Sequence, residues 1–228
     1  MFDRLLKLVE NIMQREDTTE EGLYIKKILT EYRNKRPLYE EFCAAVYKLL
    51  DALLQENRYK YQIVSRTKTP ERLREKLIRK NAEGIRYKSL SEIEDLAGVR
   101  VLFYSEADKE RFLRELKKEV DGTMQIQDKK QKSGYEATHI IMTFGEKRLK
   151  LSEYKHFYNL KSEIQVTSIL RHTWAEIEHD FIYKDVSGLK KRDPKKFAIV
   201  EQKLGEILEK HIKQASFEFE DIIKLIDE

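Results

Sequence analysis

The 228-residue chain has one cysteine, three prolines and eight glycines. A lone cysteine, Cys43, excludes an internal disulfide framework and any cysteine-based zinc site. Its apolar helical surroundings make it a core residue. So few breakers, with 38% charged residues, point to much helix joined by short loops. No apolar run approaches the ~18 residues that span a bilayer. The N-terminal "MFDRLLKLVENIMQR" is amphipathic and lacks an apolar signal core, which predicts a cytoplasmic protein. Repeats and low-complexity segments are also missing, and no HD pair of a metal-dependent hydrolase is found in the first 55 residues.

What is present is charge in one place. Residues 65–80 hold seven cations against two acids, +5 in a chain whose net charge is +4, so the remainder sums to about −1. Hydrophobic residues make up 40%, ample for a core.

Residues 1–55 read as helices. Phe2, Leu5, Val9, Ile12 and Met13 form one stripe. Asp17 or Thr18 caps a second helix, and Pro37 starts a third with Phe42, Val46, Leu49 and Leu53 on one face. The period then changes. "YQIVSR" is a strand, and Thr69-Pro70 opens a helix over 70–81 that places Arg72, Lys76 and Arg79 on one face. Strands follow at 97–105, 123–128, 137–144 and 162–168. Helices are predicted at 106–118, Ile169 to Tyr183 (core stripe Trp174, Ile177, Phe181) and 194–225. The expected fold class is α+β: a mixed sheet flanked by helices, with N-terminal helices (1–55), a core (56–190) and a long C-terminal helix (191–228).

Asp95 stands before a buried strand, and Glu163 opens another. Each reads as an ordinary edge-strand acid or as half of a Mg²⁺ site, since Mg²⁺ takes one or two carboxylates plus phosphates and waters. The 65–80 segment is either a solvated helix face or, with Arg66 and Lys68 on the strand-to-helix connection, a polyphosphate cradle. His172, Glu176 and His179 share a helix face and suit a hydrogen-bonded pocket wall better than a metal site. "SGYEATH" sets Tyr135 after a Ser-Gly turn, either an ordinary turn or a platform for a flat ligand.

Taken in order, "SRTKTPERLREKLIRK", "EDLAGVRV", "SGYEATH", "EIQVTS" and "WAEIEHDFIYK" resemble the synthetase domain of the RelA/SpoT superfamily. The likeness covers roughly residues 60–185 and extends to small alarmone synthetases and their toxic relatives. It implies transfer of the β,γ-pyrophosphate of ATP to a ribose 3′-hydroxyl. It further implies that Arg66, Lys68, Lys76, Arg79 and Arg100 bind ATP, and that Asp95 and Glu163 hold Mg²⁺, with Glu163 also deprotonating the hydroxyl. Tyr135, His139 and Gln165 would line the acceptor site, with Glu178 and Tyr183 in support.

The platform departs from the usual G-Y-R-S-x-H, since Glu136 stands where a cation is common. Thr167-Ser168 likewise replace Arg-Thr. Two missing cations disfavour a 5′-polyphosphate acceptor. They lean the expectation to the 3′-CCA end of tRNA, and hence to a translation-blocking toxin with an antitoxin partner. Lys26, Lys27, Arg111, Arg114, Lys117 and Lys118 would track the acceptor stem, or serve as solvated helix faces. GDP or GTP as acceptor, giving (p)ppGpp, is the alternative, and a non-catalytic RNA-binding module is a third reading. Assembly with further copies of the chain is left open.

Overall fold

The computed structural model describes residues 19–130, 136–183 and 188–227, with the side chains of Lys129, Lys130, Glu136, Tyr183 and Asp227 outside the description. The predicted stripe from Phe2 to Met13, and the Asp17 and Thr18 caps, lie outside these residues.

Helix α1 runs unbroken over Glu20–Glu56, with Thr19 as N-cap accepting from the Gly22 amide at 3.0 Å. Pro37 lies within it and does not start a new helix. Proline removes one backbone hydrogen bond and strains the preceding turn, a cost of about 3 kcal/mol. Here the apolar stripe passes through it in phase. Tyr32, Tyr39, Phe42, Val46, Leu50 and Leu54 are all buried against the sheet. Each buried apolar side chain contributes about 1.5–3 kcal/mol, so the packing outweighs the break.

Strand β1 (Tyr61–Thr67) leads into helix α2 (Pro70–Ala82), whose N-cap Thr69 accepts from the Arg72 amide. Strand β2 (Ala97–Phe103) and helix α3 (Glu106–Glu119) follow. Then come β3 (Met124–Lys130), β4 (Glu136–Met142) and β5 (Ser162–Ser168). The sheet order is β1-β2-β5-β4-β3, with β2 parallel to β5 and every other pair antiparallel. Alternation divides the strands into two faces. Val99, Val101, Ile164, Val166 and Ile140 face the core under α1 and α3. Arg66, Arg100, Glu163, Gln165 and His139 point to the other side.

Helix α4 covers Ile169–Glu178 and continues as a π-helical turn over His179–Tyr183. The expected core stripe is only partly correct. Trp174 is 3% exposed, but Ile177 and Phe181 are 43% and 64% exposed. The buried face is Trp174, Ala175 and Glu178, and the wider π turn moves Phe181 out of phase with it. Helix α5 (Pro194–Ile207) runs through a second π turn, Leu208–Ile212, into α6 (Lys213–Asp227). Trp174, Ala175 and Leu208 form a second, smaller core, sealed by the Trp174 indole donating to the Leu204 carbonyl at 3.0 Å.

Candidate active site

A cavity of about 960 Å³ lies over the non-core face of the sheet. Its floor is Arg66, Arg100, His139, Glu163, Gln165 and Thr167. Helix α2 forms one wall with Arg72, Lys76 and Arg79, and α4 forms the other with His172, Glu176, Glu178 and His179.

The β1–α2 connection is fixed by the backbone. The Lys68 amide donates to the Leu96 carbonyl at 2.9 Å, and the buried Tyr32 hydroxyl donates to the Lys68 carbonyl. Burial pushes the Tyr32 hydroxyl up to about 12, so it remains a donor at every working pH. This brings the Lys68 ammonium to 3.0 Å from one oxygen of Asp95, while Lys76 reaches the other at 2.7 Å. Burial alone would raise the Asp95 carboxyl. The two ammonium groups overcome it and hold Asp95 below its ordinary range.

Glu163 has a different shell. The His139 Nδ1–H donates to one oxygen at 2.9 Å, and the Gln165 amide donates to the other at 2.9 Å. Burial again opposes ionisation, but these donors hold the carboxyl below the usual range. Gln165 then accepts from Arg100 Nε through its own oxygen at 3.2 Å. The Arg100 guanidinium reaches across to α4, donating to Glu176 Oε1 and to His172 Nε2, each at 3.2 Å. A guanidinium only donates, so Nε2 is the acceptor and the proton sits on Nδ1. Burial first, then the Arg100 charge, lowers the His172 pKa and favours that neutral form. A continuous network thus runs from α4 through Arg100, Gln165 and Glu163 to His139.

The structure brings together Arg66, Lys68, Lys76, Arg79, Arg100, Asp95, His139, Glu163, Gln165 and Glu178 from six elements and their connections. Tyr135 lies outside the described residues, as does the side chain of Tyr183. Lys26, Lys27, Arg111, Arg114, Lys117 and Lys118 do not line the cavity. Arg111 stacks over the Tyr59 ring at 4.2 Å and pairs with Asp108 at 3.3 Å, and Lys118 pairs with Glu115 at 3.2 Å. Sequence reasoning marked His172 and Glu176 as a pocket wall but missed that they hold Arg100. The polar i, i+4 spacing was the signal, and its partner across the sheet could not be read from it.

Residues 65–187, more than half the chain, match the family described as "Region found in RelA / SpoT proteins". The chain belongs to the RelA/SpoT family. A curated relative, GTP pyrophosphokinase YwaC of Bacillus subtilis (strain 168), is 26% identical over 174 residues, covering 70% of this chain and 79% of that protein. Among solved structures, the small alarmone synthetase 1 from Bacillus subtilis superposes with a TM-score of 0.66 at 19% identity, covering 86% of this chain and 98% of its own. The same enzyme bound to its product pppGpp gives 0.67 at 17% identity, over 87% and 100% of the two chains. These likenesses establish the fold. The chain is a RelA/SpoT-type pyrophosphokinase with the fold of the small alarmone synthetases. No described helix is long and apolar enough to cross a membrane.

The donor set also fits the metal that such chemistry uses. Among the described residues no cluster of three or more acids, histidines or cysteines could hold an ion alone. Two carboxylates in a cationic cavity match Mg²⁺, whose remaining ligands are substrate phosphates and water.

Proposed function

We propose that this chain transfers the β,γ-pyrophosphate of ATP to the 3′-hydroxyl of a guanosine nucleotide, GDP or GTP. The observation that carries this reading is the pairing of two ionised carboxylates, Asp95 and Glu163, within one cation-lined cavity. Residues 56–190 then form the catalytic core. Lys68, Lys76, Arg66, Arg79 and Arg100 bind the donor's phosphates and base. Asp95 and Glu163 would hold Mg²⁺, which when bound supplies charge neutralisation at the phosphates.

In this reading Glu163 accepts the proton of the 3′-hydroxyl. The 3′-oxygen bonds to the β-phosphorus, the bond from that phosphorus to the α,β-bridging oxygen breaks, and AMP leaves. Positioning and neutralised charge dominate such transfers. His139 and Gln165 hold the Glu163 carboxylate in place, and Tyr135 is the stacking platform for the acceptor base. The guanosine assignment is supported by the relative named a GTP pyrophosphokinase and by the structural neighbour bound to pppGpp.

The second reading is the 3′ end of tRNA, with the chain as a toxin neutralised by an antitoxin protein. Its support is local. Thr167 lines the cavity where a cation is common, and Glu136 follows the platform. ATP labelled at the β or γ phosphate, offered with GDP, GTP and deacylated tRNA in parallel, tests both. Label entering GDP or GTP in preference to tRNA supports the first reading. Label confined to the tRNA 3′ end overturns it in favour of the second. No transfer to any of the three removes both.

A further inference from the structure

Sequence reasoning placed concentrated positive charge at residues 65–80 alone, beside the cavity, and passed over a second such segment. It is residues 190–196, "KKRDPKK", with five cations against one acid. That is +4 beside the +5 of residues 65–80, so with a net charge of +4 the rest of the chain sums to −5. We propose that this second segment is a docking surface for the phosphodiester backbone of an RNA, separate from a cavity that, on the reading above, takes a mononucleotide acceptor.

The segment is built as an exposed tip. Lys190, Lys191, Arg192, Lys195 and Lys196 are all exposed, and only Phe197 behind them is buried, with the Lys190 ammonium 5.7 Å from its ring centroid. The one acid, Asp193, is committed to its own backbone. It caps α5 by accepting from the Lys196 amide at 3.0 Å. Several cations elsewhere have carboxylate partners a turn away, as in Lys35–Glu31, Lys80–Glu83, Lys210–Glu206 and Lys213–Glu209. Among the described residues no carboxylate forms an ion pair with the side chains of Lys191, Arg192, Lys195 or Lys196. Crowded like charges repel, and a block of them is commonly an interaction segment.

Position argues for a polynucleotide. Helix α5 is anchored to α4 by the Trp174–Leu204 hydrogen bond, and Ala175, beside Trp174, lines the cavity. From Leu204 back to Pro194 is ten residues, about 15 Å along the helix. The tip therefore stands outside the cavity but on the element that braces its wall. A mononucleotide inside the cavity does not extend to it. A ribonucleotide chain passing the rim carries a phosphate at every residue, and Lys and Arg bind it by releasing counterions.

The test is fluorescence anisotropy with labelled deacylated tRNA, titrated at several KCl concentrations without ATP. The variant replaces Lys191, Arg192, Lys195 and Lys196 by Ser, with circular dichroism and thermal unfolding as checks on folding. Each lost phosphate contact removes about 0.7–0.9 from the slope of log affinity against log salt, so four remove about 3. Affinity at about 100 mM salt should fall at least tenfold, and transfer of label from ATP to its mononucleotide acceptor should stay within twofold. The corresponding Ser replacement of Arg111, Arg114, Lys117 and Lys118 should change the slope less. An unchanged slope and affinity in the 191–196 variant overturns the proposal. So does a wild-type protein that binds polyglutamate or anionic phosphatidylglycerol vesicles more tightly than tRNA. Lost RNA binding in the variant with intact transfer supports it. Intact RNA binding in a wild-type protein that transfers no label overturns the active-site reading alone.

Discussion

At the residue scale the site depends on how two buried acids stay charged. Asp95 uses two lysines, whereas Glu163 uses a histidine and an amide. Glu163→Gln keeps the shape of the side chain but removes the base. Transfer from labelled ATP should fall by about 10²–10⁴, measured at a temperature where thermal unfolding shows the variant to be folded. Activity within tenfold of wild type would remove the base role from Glu163. Both acids also set an acid limit on stability. Their folded pKa values lie below the ordinary 3.8 for Asp95 and 4.5 for Glu163. The stability they supply is complete above those values and is lost as pH falls through the depressed ones. The melting temperature of wild type should therefore drop as pH falls below about 4.5, and that of the Asp95→Asn/Glu163→Gln variant should drop less. An identical pH profile in the two proteins would show that neither carboxylate carries this linkage. Tyr135 belongs to the same scale. Stacking on an aromatic is worth about 1–3 kcal/mol per base, so Tyr135→Ala should raise the acceptor KM by tenfold or more and Tyr135→Phe should not, with the KM for ATP unchanged in both.

At the scale of elements, the strands were legible because alternation and β-branched residues mark them. The sequence placed β5 at 162–168, as observed, and the other strands to within a few residues. Helix ends were harder. Pro37 reads as a start because proline favours first turns, yet the stripe from Tyr32 to Val46 continues across it, and tertiary packing decided the outcome. Phe181 reads as core on a 3.6-residue period, and the π turn at His179–Tyr183 breaks that period. Of the site, the acids and cations could be read in order along the chain, but the cross-sheet bonds from Arg100 to His172 and Glu176 could not, because they join residues more than 70 apart in sequence. The turn before β3 was equally silent. A Cβ on Gly122 would stand 2.0 Å from the Thr143 carbonyl oxygen, at the open end of the β3–β4 hairpin beside the Met124–Met142 pair. Backbone would have to move. Gly122→Ala should therefore lower stability by about 1–3 kcal/mol, read as a lower denaturant midpoint, and a midpoint equal to wild type would mean that the turn relaxes freely.

At the scale of the whole molecule, two cores of unequal size share one cavity. The large core fixes the sheet and α2, and with them Asp95, Glu163 and the donor-binding cations. The small one, Trp174, Ala175 and Leu208, seats α4 against the C-terminal helices. Helix α4 carries Glu176, His172 and Glu178, so the small core sets the second wall of the cavity. Beyond it α6 adds little packing. Phe217, Leu225 and Ile226 are 68% or more exposed, and the Glu220 carboxylate accepts from the Ala107 amide at the start of α3. The two halves of the C-terminal region should therefore respond differently. Leu208→Ala opens a cavity in a core of three residues and should cost about 2–5 kcal/mol. It should also loosen the Arg100 contacts to α4, raising the KM for ATP several-fold at a temperature where the protein remains folded. Ending the chain after Ile212 removes α6 but leaves Leu208 and the Trp174–Leu204 bond in place, so transfer should stay within about threefold of wild type. Calorimetry with initial-rate kinetics on the two proteins separates the cases. If truncation abolishes transfer while Leu208→Ala is silent, then α6 and not the small core holds the catalytic wall.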